Sequence, residues 1–224
     1  TVDTIPPRYN IAPTQNVPIV RFDRDGNPKL VSVRWGLVPR WSKDLASGSK
    51  MINARCETAA EKPAFRDAFR KRRCLVPATG FYEWQNLDAS NKQPFFIHSA
   101  DGKPLVMAGL WESWKPNADA QAIETFAILT TEANLTMQFL HHRMPVFLQP
   151  DQFTQWLRCE STEIQGLQEM MRPAEESLLV MYPVSRRVNS PGDDDAAMIE
   201  PESTVPQPCQ PKPVNRYRQK SLFD

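Results

Sequence analysis

The stretch CLVPATGFYEW (residues 74–84) carries both a strand signal and a candidate catalytic acid. The apolar run 74–76 is typical of a short buried strand, which Pro77 and Gly80 then break. Glu83 follows between Tyr82 and Trp84. Aromatic neighbours can desolvate a carboxyl group and raise its pKa, which prepares a general acid for work near neutral pH. The alternative is a strand-end glutamate with its carboxylate in water, the commoner situation for this residue type.

Outward from this stretch, apolar runs alternate with turn signals. The turn Asp25-Gly26-Asn27 separates strand candidates 19–22 and 29–35, and the turn 100–103 separates candidates 93–99 and 104–111, so two hairpins are predicted. Buried strands are predicted over 125–131 and 177–184. Helical patterns are short and cover 61–73, 132–140, 151–157 and 162–171. We therefore predict an α+β, strand-rich single domain, with hairpins forming a barrel-like core flanked by short helices.

Composition bounds the function classes only loosely. The chain has 224 residues, 41% of them hydrophobic, and a net charge of +1, which neither requires nor excludes nucleic acid. The four cysteines form no CxxC pair, and no histidine stands at the spacing of zinc-finger ligands. We therefore expect reduced thiols, no metal and no cofactor. We predict a domain over 1–200 and a Pro-rich, basic, flexible tail over 201–224. No apolar run approaches membrane-spanning length, so no membrane-spanning segment is expected, and a monomer is the default expectation.

Several polar residues could carry chemistry. The cluster His141-His142-Arg143 combines groups that titrate near neutral pH with a fixed cation, which suits acid–base work beside a phosphate, although it could also bind a carboxylate. If residues 51–58 are extended, Asn53 and Arg55 project to one side.

Two further features could contact nucleic acid. Trp41 on a basic loop could stack on a base or fill a gap in the core. The basic residues of the 61–73 pattern could contact phosphate or end a solvated helix; they are Arg66, Arg70, Lys71, Arg72 and Arg73.

Four ordered motifs resemble one family. RYNIAPTQ (8–15), INARCET (52–58), CLVPATGFYEW (74–84) and HHRMP (141–145) are similar to motifs of the SRAP-domain (SOS response-associated peptidase) proteins, and the resemblance spans about residues 6–188. It implies the SRAP fold and a sensor of abasic sites in single-stranded DNA. In the family, the initiator Met is removed autocatalytically, and the exposed N-terminal Cys forms a thiazolidine crosslink with the ring-opened sugar. A lyase activity and a cytoplasmic, nucleoid-associated location in a bacterium are also implied.

The resemblance assigns roles by motif. Asn53 would orient the terminal Cys and the sugar, Glu83 would act as the acid–base carboxyl group, also in Met removal, and His141 would protonate the sugar oxygen. The DNA-binding residues it implies are Arg8, Asn10, Arg55, Thr130 and Arg143, with Trp41 as a wedge against bases. A purely structural role is the alternative for Arg8 and Thr130.

The sequence departs from the family pattern at two places. His142 stands where the family usually has Asp, which removes a negative charge beside the phosphate site. The chain also begins at Thr1 instead of Met-Cys, so we expect a fragment lacking some tens of residues and inactive in crosslinking as printed. Cys56 could not replace the terminal Cys, because its amine lies in a peptide bond.

Two other functions compete with the covalent sensor. A non-catalytic single-strand-binding or sliding-clamp-tethered module would not need the terminal Cys. A thiol peptidase fits least, because no upstream Cys and no substrate-cleft motif are visible. The tail supports tethering, since its end resembles the bacterial clamp-binding pentapeptide through Gln219, Ser221, Leu222 and Phe223.

Overall fold

The computed structural model describes residues 5–88, 91–159 and 164–202. Its strands are β1 (Asn16–Phe22), β2 (Pro28–Trp35), β3 (Asn53–Arg55), β4 (Arg73–Ala78), β5 (Gly80–Asn86), β6 (Lys92–Ser99), β7 (Leu105–Trp114), β8 (Ile123–Glu132), β9 (Arg143–Pro145) and β10 (Leu179–Pro183). Its α-helices are α1 (Cys56–Ala59), α2 (Arg66–Lys71), α3 (Leu135–Gln138), α4 (Phe153–Leu157) and α5 (Ile164–Met170). Short 3₁₀ turns cover Leu45–Lys50, Pro150–Gln152, Glu176–Leu178, Arg186–Asn189 and Ala196–Ile199.

The larger, seven-stranded sheet closes on itself. Its strands follow the order β2-β1-β4-β7-β8-β3, and β2 also pairs in parallel with β8 through Arg34 opposite Thr125 and Trp35 opposite Phe126. β9 extends the same sheet by pairing with β8. The predicted α+β, strand-rich single-domain fold is confirmed, with a ring-like sheet at its centre.

The smaller sheet, β10-β6-β5, covers the inner face of the ring. Because side chains alternate along a strand, Phe95 and Ile97 of β6 face the ring and join its core, together with ring residues such as Phe126 and Ile128. Phe96 lies on the opposite face and packs under the C-terminal segment 184–199. The outer face of the ring packs against the helices, in a second core cluster.

The sequence predicted some elements correctly and others not. The hairpin at Asp25-Gly26-Asn27 is confirmed, since β1 pairs with β2. The predicted hairpin at 100–103 is wrong: β6 pairs with β5 and β10, whereas β7 pairs with β4 and β8. A turn motif predicts only that the chain changes direction; it does not predict that the two flanking strands pair. Here β6 lies in the smaller sheet and β7 in the larger one.

The predicted helices 61–73 and 132–140 are shorter than expected. Pro63 lies inside the first pattern, where its ring opposes a regular helix, and α2 begins only at Arg66. In the second, Glu132 still belongs to β8, and Asn134 caps α3 by accepting a hydrogen bond from the backbone N–H of Met137.

The C-terminal part of the chain is described only to Glu202. The Glu202 N–H donates to the carbonyl of Pro183 at 2.8 Å, so residues 201 and 202 still contact the domain. The clamp-like residues of the tail lie outside the described residues, and so does Cys209. No helix in the described part of the chain is long and apolar enough to span a membrane.

Candidate functional site

Strand β3 presents Asn53 and Arg55 to solvent. Ala54 between them is buried, so the two polar side chains share one face, as their parity predicts. β3 runs parallel to β8, with Asn53 opposite Ile128 and Arg55 opposite Thr130. Ile128 belongs to the core between the two sheets, so this face of β3 continues the inner face of the ring.

Arg143 lies beside this strand and is paired with a carboxylate. Its Nη1 and Nη2 donate to the two oxygens of Glu57 at 2.7 and 2.8 Å, and Nη2 also donates to the carbonyl of Thr130 at 2.6 Å. The hydrogen bonds from Arg143 lower the pKa of Glu57, and the same pair raises the pKa of Arg143. Only 13% of the Arg143 side chain is exposed. The guanidinium therefore ties α1 to β8, and its predicted DNA contact stays a prediction.

Glu57 was missed by sequence reasoning. It lies 86 residues from its arginine partner, and local spacing gives no indication of such a contact. The one available signal was its place inside the INARCET motif. Thr130 is buried and its hydroxyl lies 3.5 Å from the carbonyl of Ala54, a position that suits the structural alternative.

His141 is half-buried and its orientation is fixed by the backbone. The Arg143 N–H lies 3.1 Å from Nδ1, which accepts it in the tautomer that carries the ring proton on Nε2. In the other tautomer, Nδ1 can donate to the Arg143 carbonyl, 3.2 Å away. The exposed ring of His142 lies 4.3 Å from that of His141, centroid to centroid. Both tautomers of His141 therefore find a backbone partner for Nδ1.

Glu83 is half-buried in the middle of β5, so the strand-end alternative is wrong. Tyr82 and Trp84, expected to desolvate it, pack on the opposite face of the small sheet, because neighbours in a strand alternate. The aromatic residues on the same face are Phe81 and Phe95, and Phe95 stands directly opposite Glu83. One carboxylate oxygen lies 3.1 Å from the backbone N of Trp84, which donates to it.

Phe139, which precedes His141 by two residues, contacts Phe95 on β6, the strand beside the one that carries Glu83. Its ring meets Phe95 edge-on with centroids 6.0 Å apart. By strand alternation Glu83 shares its face with Phe95, Asn53 shares its face with Ile128, and His141 directly follows Leu140. Phe95, Ile128 and Leu140 belong to one core cluster between the two sheets.

Arg8 and Asn10 are held by the C-terminal segment. The side chain of Arg8 donates to Asp194, which also accepts the backbone N–H groups of Tyr9 and Asn10. Although burial acts to raise it, the pKa of Asp194 is lowered overall because these donors stabilise the carboxylate. Asn10 is 6% exposed and donates to the carbonyls of Val188, Ser190 and Asp193. Both residues fasten the N-terminal segment to the C-terminal one, and their predicted DNA contacts stay predictions.

Trp41 lies on the loop that leads into β3, and the basic residues lie on α2 and directly after it. Trp41 is 68% exposed, on the loop between β2 and β3, so it does not fill a gap in the core. Of the basic residues, Arg72 and Arg73 are buried, whereas the exposed ones are Arg66, Arg70 and Lys71. The predicted basic patch is therefore smaller than its sequence suggests.

Among the described residues, no group of three or more His, Cys, Asp or Glu side chains could hold a metal ion.

Comparisons with known proteins identify the family of this chain. A family model described as SOS response associated peptidase (SRAP) matches residues 1–191. The abasic site processing protein YoaM of Bacillus subtilis is 41% identical over 197 residues, covering 88% of this chain and 86% of the relative. HMCES of Gallus gallus, also called an abasic site processing protein, is 33% identical, covering 90% of this chain and 68% of the relative.

A solved structure gives the same answer for the fold. A protein from Bacteroides thetaiotaomicron superposes with a TM-score of 0.73 at 27% identity, covering 84% of this chain and 82% of that one. The family match over most of the chain, the sequence identities and the shared fold support one conclusion: this chain belongs to the SRAP family.

Proposed function

We propose that this protein senses abasic sites in single-stranded DNA and captures them covalently through an N-terminal cysteine. Relatives named abasic site processing proteins support the substrate class. The observation that supports the proposal is that the neighbours of Asn53, Glu83 and His141 (Ile128, Phe95 and Leu140) belong to one core cluster, and that Arg55 is exposed on the same face as Asn53.

The proposed reaction needs an amine, a thiol and two proton-transfer groups. The N-terminal amine adds to the sugar aldehyde and loses water to give an imine. The thiolate then adds to the imine carbon while the nitrogen takes a proton, which closes the five-membered thiazolidine ring. In this scheme the C1–O4 bond of the sugar breaks while protonated His141 gives its Nε2 proton to the ring oxygen and the anomeric hydroxyl loses its proton to water, which leaves the aldehyde. Glu83 takes the proton of the terminal ammonium. The same carboxylate would assist removal of the initiator Met, and the imine stage offers a route to lyase chemistry.

Arg55 would hold a phosphate beside the lesion, because its guanidinium is exposed on the same face as Asn53. Asn53 offers both a donor and acceptors for orienting the sugar and the terminal residue.

The test uses protein translated from the complete reading frame and single-stranded DNA with one abasic site. We expect a DNA–protein band that survives denaturation, and Glu83→Gln and His141→Gln should each slow its formation by about 10²-fold or more. His98→Gln is the matched control, because that ring stacks on Phe96 away from the site and its change should leave the rate unchanged. The polypeptide 1–224, which begins at Thr1, should give no band.

The alternative is a non-catalytic single-strand binder. A reading frame in which another residue follows Met, or binding in a native gel without any covalent band, would favour it. The proposed clamp tether is tested separately: clamp binding that survives Leu222→Ala with Phe223→Ala would remove it, whereas loss of binding would support it.

A further inference from the structure

Trp41 is a large apolar side chain that the fold leaves exposed. The loop that carries it, residues 36–51, closes at its base, where Leu37 N–H donates to the Met51 carbonyl at 3.0 Å. The backbones of Gly36 and Gly48 touch there: a Cβ on Gly48 would lie 2.4 Å from the Gly36 carbonyl oxygen. The two ends of the loop are thus fixed to each other by contacts that only glycine permits.

The loop is also anchored on both sides of Trp41. Arg40 Nε donates to Glu112 Oε1 at 2.8 Å, and the Trp114 indole N–H donates to the Ser42 carbonyl at 2.8 Å. Glu112 and Trp114 are two residues apart on β7 and therefore share a face of the sheet. One strand holds the residue before Trp41 and the residue after it, while the Trp41 side chain itself stays in solvent.

Glu112 is fixed more firmly than a loop anchor alone requires. Its side chain is 5% exposed, its second oxygen accepts Arg72 Nη2 at 2.6 Å, and Oε1 also accepts the Ser113 N–H at 2.8 Å. Arg72 follows directly after Lys71, the last residue of α2. The buried carboxylate therefore connects the Trp41 loop to the end of the helix whose exposed cations are Arg66, Arg70 and Lys71.

We propose that Glu112 and Trp114 are positioning residues, which hold Trp41 as a preformed stacking platform for a nucleobase of the strand that flanks the lesion. The proposal rests on the proposed single-stranded DNA function. Stacking of one base on an aromatic side chain changes affinity by about 5- to 150-fold. A loop fixed before binding retains this gain, because little conformational entropy is lost when the base arrives. The neighbouring exposed cations suit the phosphates of the same strand.

A double-mutant cycle tests the proposal. The complete protein is titrated into a labelled single strand that carries a tetrahydrofuran abasic analogue, which lacks the aldehyde and cannot be crosslinked. We expect Trp41→Ala to weaken binding by about 10-fold, and Glu112→Gln and Trp114→Phe by about 3-fold or more each. Combined with Trp41→Ala, either change should add less than about 1.5-fold, because both act through Trp41.

Controls separate this mechanism from a loss of folding or of charge. Trp114→Phe keeps the aromatic ring and all charges, so it tests the anchor if Glu112→Gln reduces stability. Glu124 lies on β8, the neighbour of β7, and pairs with Arg21 of β1. Glu124→Gln removes this carboxylate and should leave affinity unchanged. Effects of Glu112→Gln and Trp114→Phe that persist in the Trp41→Ala protein would overturn the proposal.

The outcomes also distinguish the two levels of inference. Unchanged affinity of Trp41→Ala with normal crosslinking of abasic DNA would refute the platform and leave the proposed function standing. Failure of the unmodified protein to bind the strand or to crosslink abasic DNA would refute the proposed function itself.

Discussion

Replacing Arg73 with Met should severely destabilise the fold, although Arg73 stands in a stretch of basic residues typical of a surface. Arg73 is 2% exposed. Its Nε donates to the Trp156 carbonyl at 2.5 Å, Nη1 donates to the Phe69 carbonyl at 2.8 Å, and Nη2 donates to the Arg158 carbonyl. These carbonyls lie near the C-terminal ends of α2 and α4, so one guanidinium fastens both helices to β4.

The magnitude follows from these three hydrogen bonds. A hydrogen bond from a charged donor contributes about 1.5–3 kcal/mol, and an abandoned buried acceptor costs about 1–3 kcal/mol. Met fills much of the same volume, and relief from burying a charge offsets part of the loss, since burial already lowers the pKa of Arg73. We expect a net loss of about 3–5 kcal/mol in the free energy of unfolding. That is a large part of a typical total of about 5–15 kcal/mol.

Urea denaturation, followed by tryptophan fluorescence, measures this loss as a lower midpoint at an unchanged m-value. In a domain of this size the melting temperature should fall by about 6–20 °C. Arg70→Met is the matched control: it removes the same charge from an exposed position of α2 and should change stability by less than about 0.5 kcal/mol. If Arg73→Met lies within about 1 kcal/mol of the control, the assignment of Arg73 as a helix anchor is wrong.

Other predictions concern acid stability, thiol reactivity and the loop. Because its ion pair with Arg143 lowers the pKa of Glu57, the carboxylate stabilises the fold near neutral pH. The free energies of unfolding of wild type and Glu57→Gln, measured by urea denaturation, should differ by about 0.5–1 kcal/mol at about pH 7 and converge as pH falls through the lowered pKa. A difference that stays constant with pH would contradict this. Burial raises the pKa of Cys56 and of Cys74, so peptide mass spectrometry after native alkylation at about pH 8 should find neither modified, and modification of Cys56 would refute its burial. Gly48→Ala should lower stability by about 1–3 kcal/mol, because the new methyl group would meet the Gly36 carbonyl; a urea midpoint equal to wild type would show that the loop can relax.

Local patterns predicted those features of the fold that depend on neighbouring residues. The Asp-Gly-Asn turn predicted the β1–β2 hairpin, and strand alternation predicted that Asn53 and Arg55 share one side of β3. Pairing between distant strands was not predictable in this way. The 100–103 turn resembles the first one, yet its flanking strands enter different sheets because their partners lie elsewhere in the chain.

In the candidate site, too, local motifs identified some residues, whereas partners that lie far away in the chain were not predictable. The motifs supplied Asn53, Glu83 and His141, and their elements meet around one core. The carboxylates that hold Arg8 and Arg143 lie 186 and 86 residues away, so no spacing rule identifies them. Arg72 and Arg73 were indistinguishable in sequence from their exposed neighbours, because burial of a cation depends on acceptors that the fold brings to it.

The pairing of cations also bears on how a chain with a net charge of +1 would bind DNA. Arg8 and Arg143 each face a carboxylate, so their local charge is neutralised. Arg55 is exposed, and within the described residues it has no ion pair or hydrogen bond from its side chain. On the proposed function, an approaching phosphate meets the full charge of Arg55, whereas contact with Arg8 or Arg143 requires sharing or displacing a carboxylate. This distribution favours Arg55 as the phosphate contact beside Asn53, and it predicts a smaller contribution to DNA binding from Arg8 and Arg143.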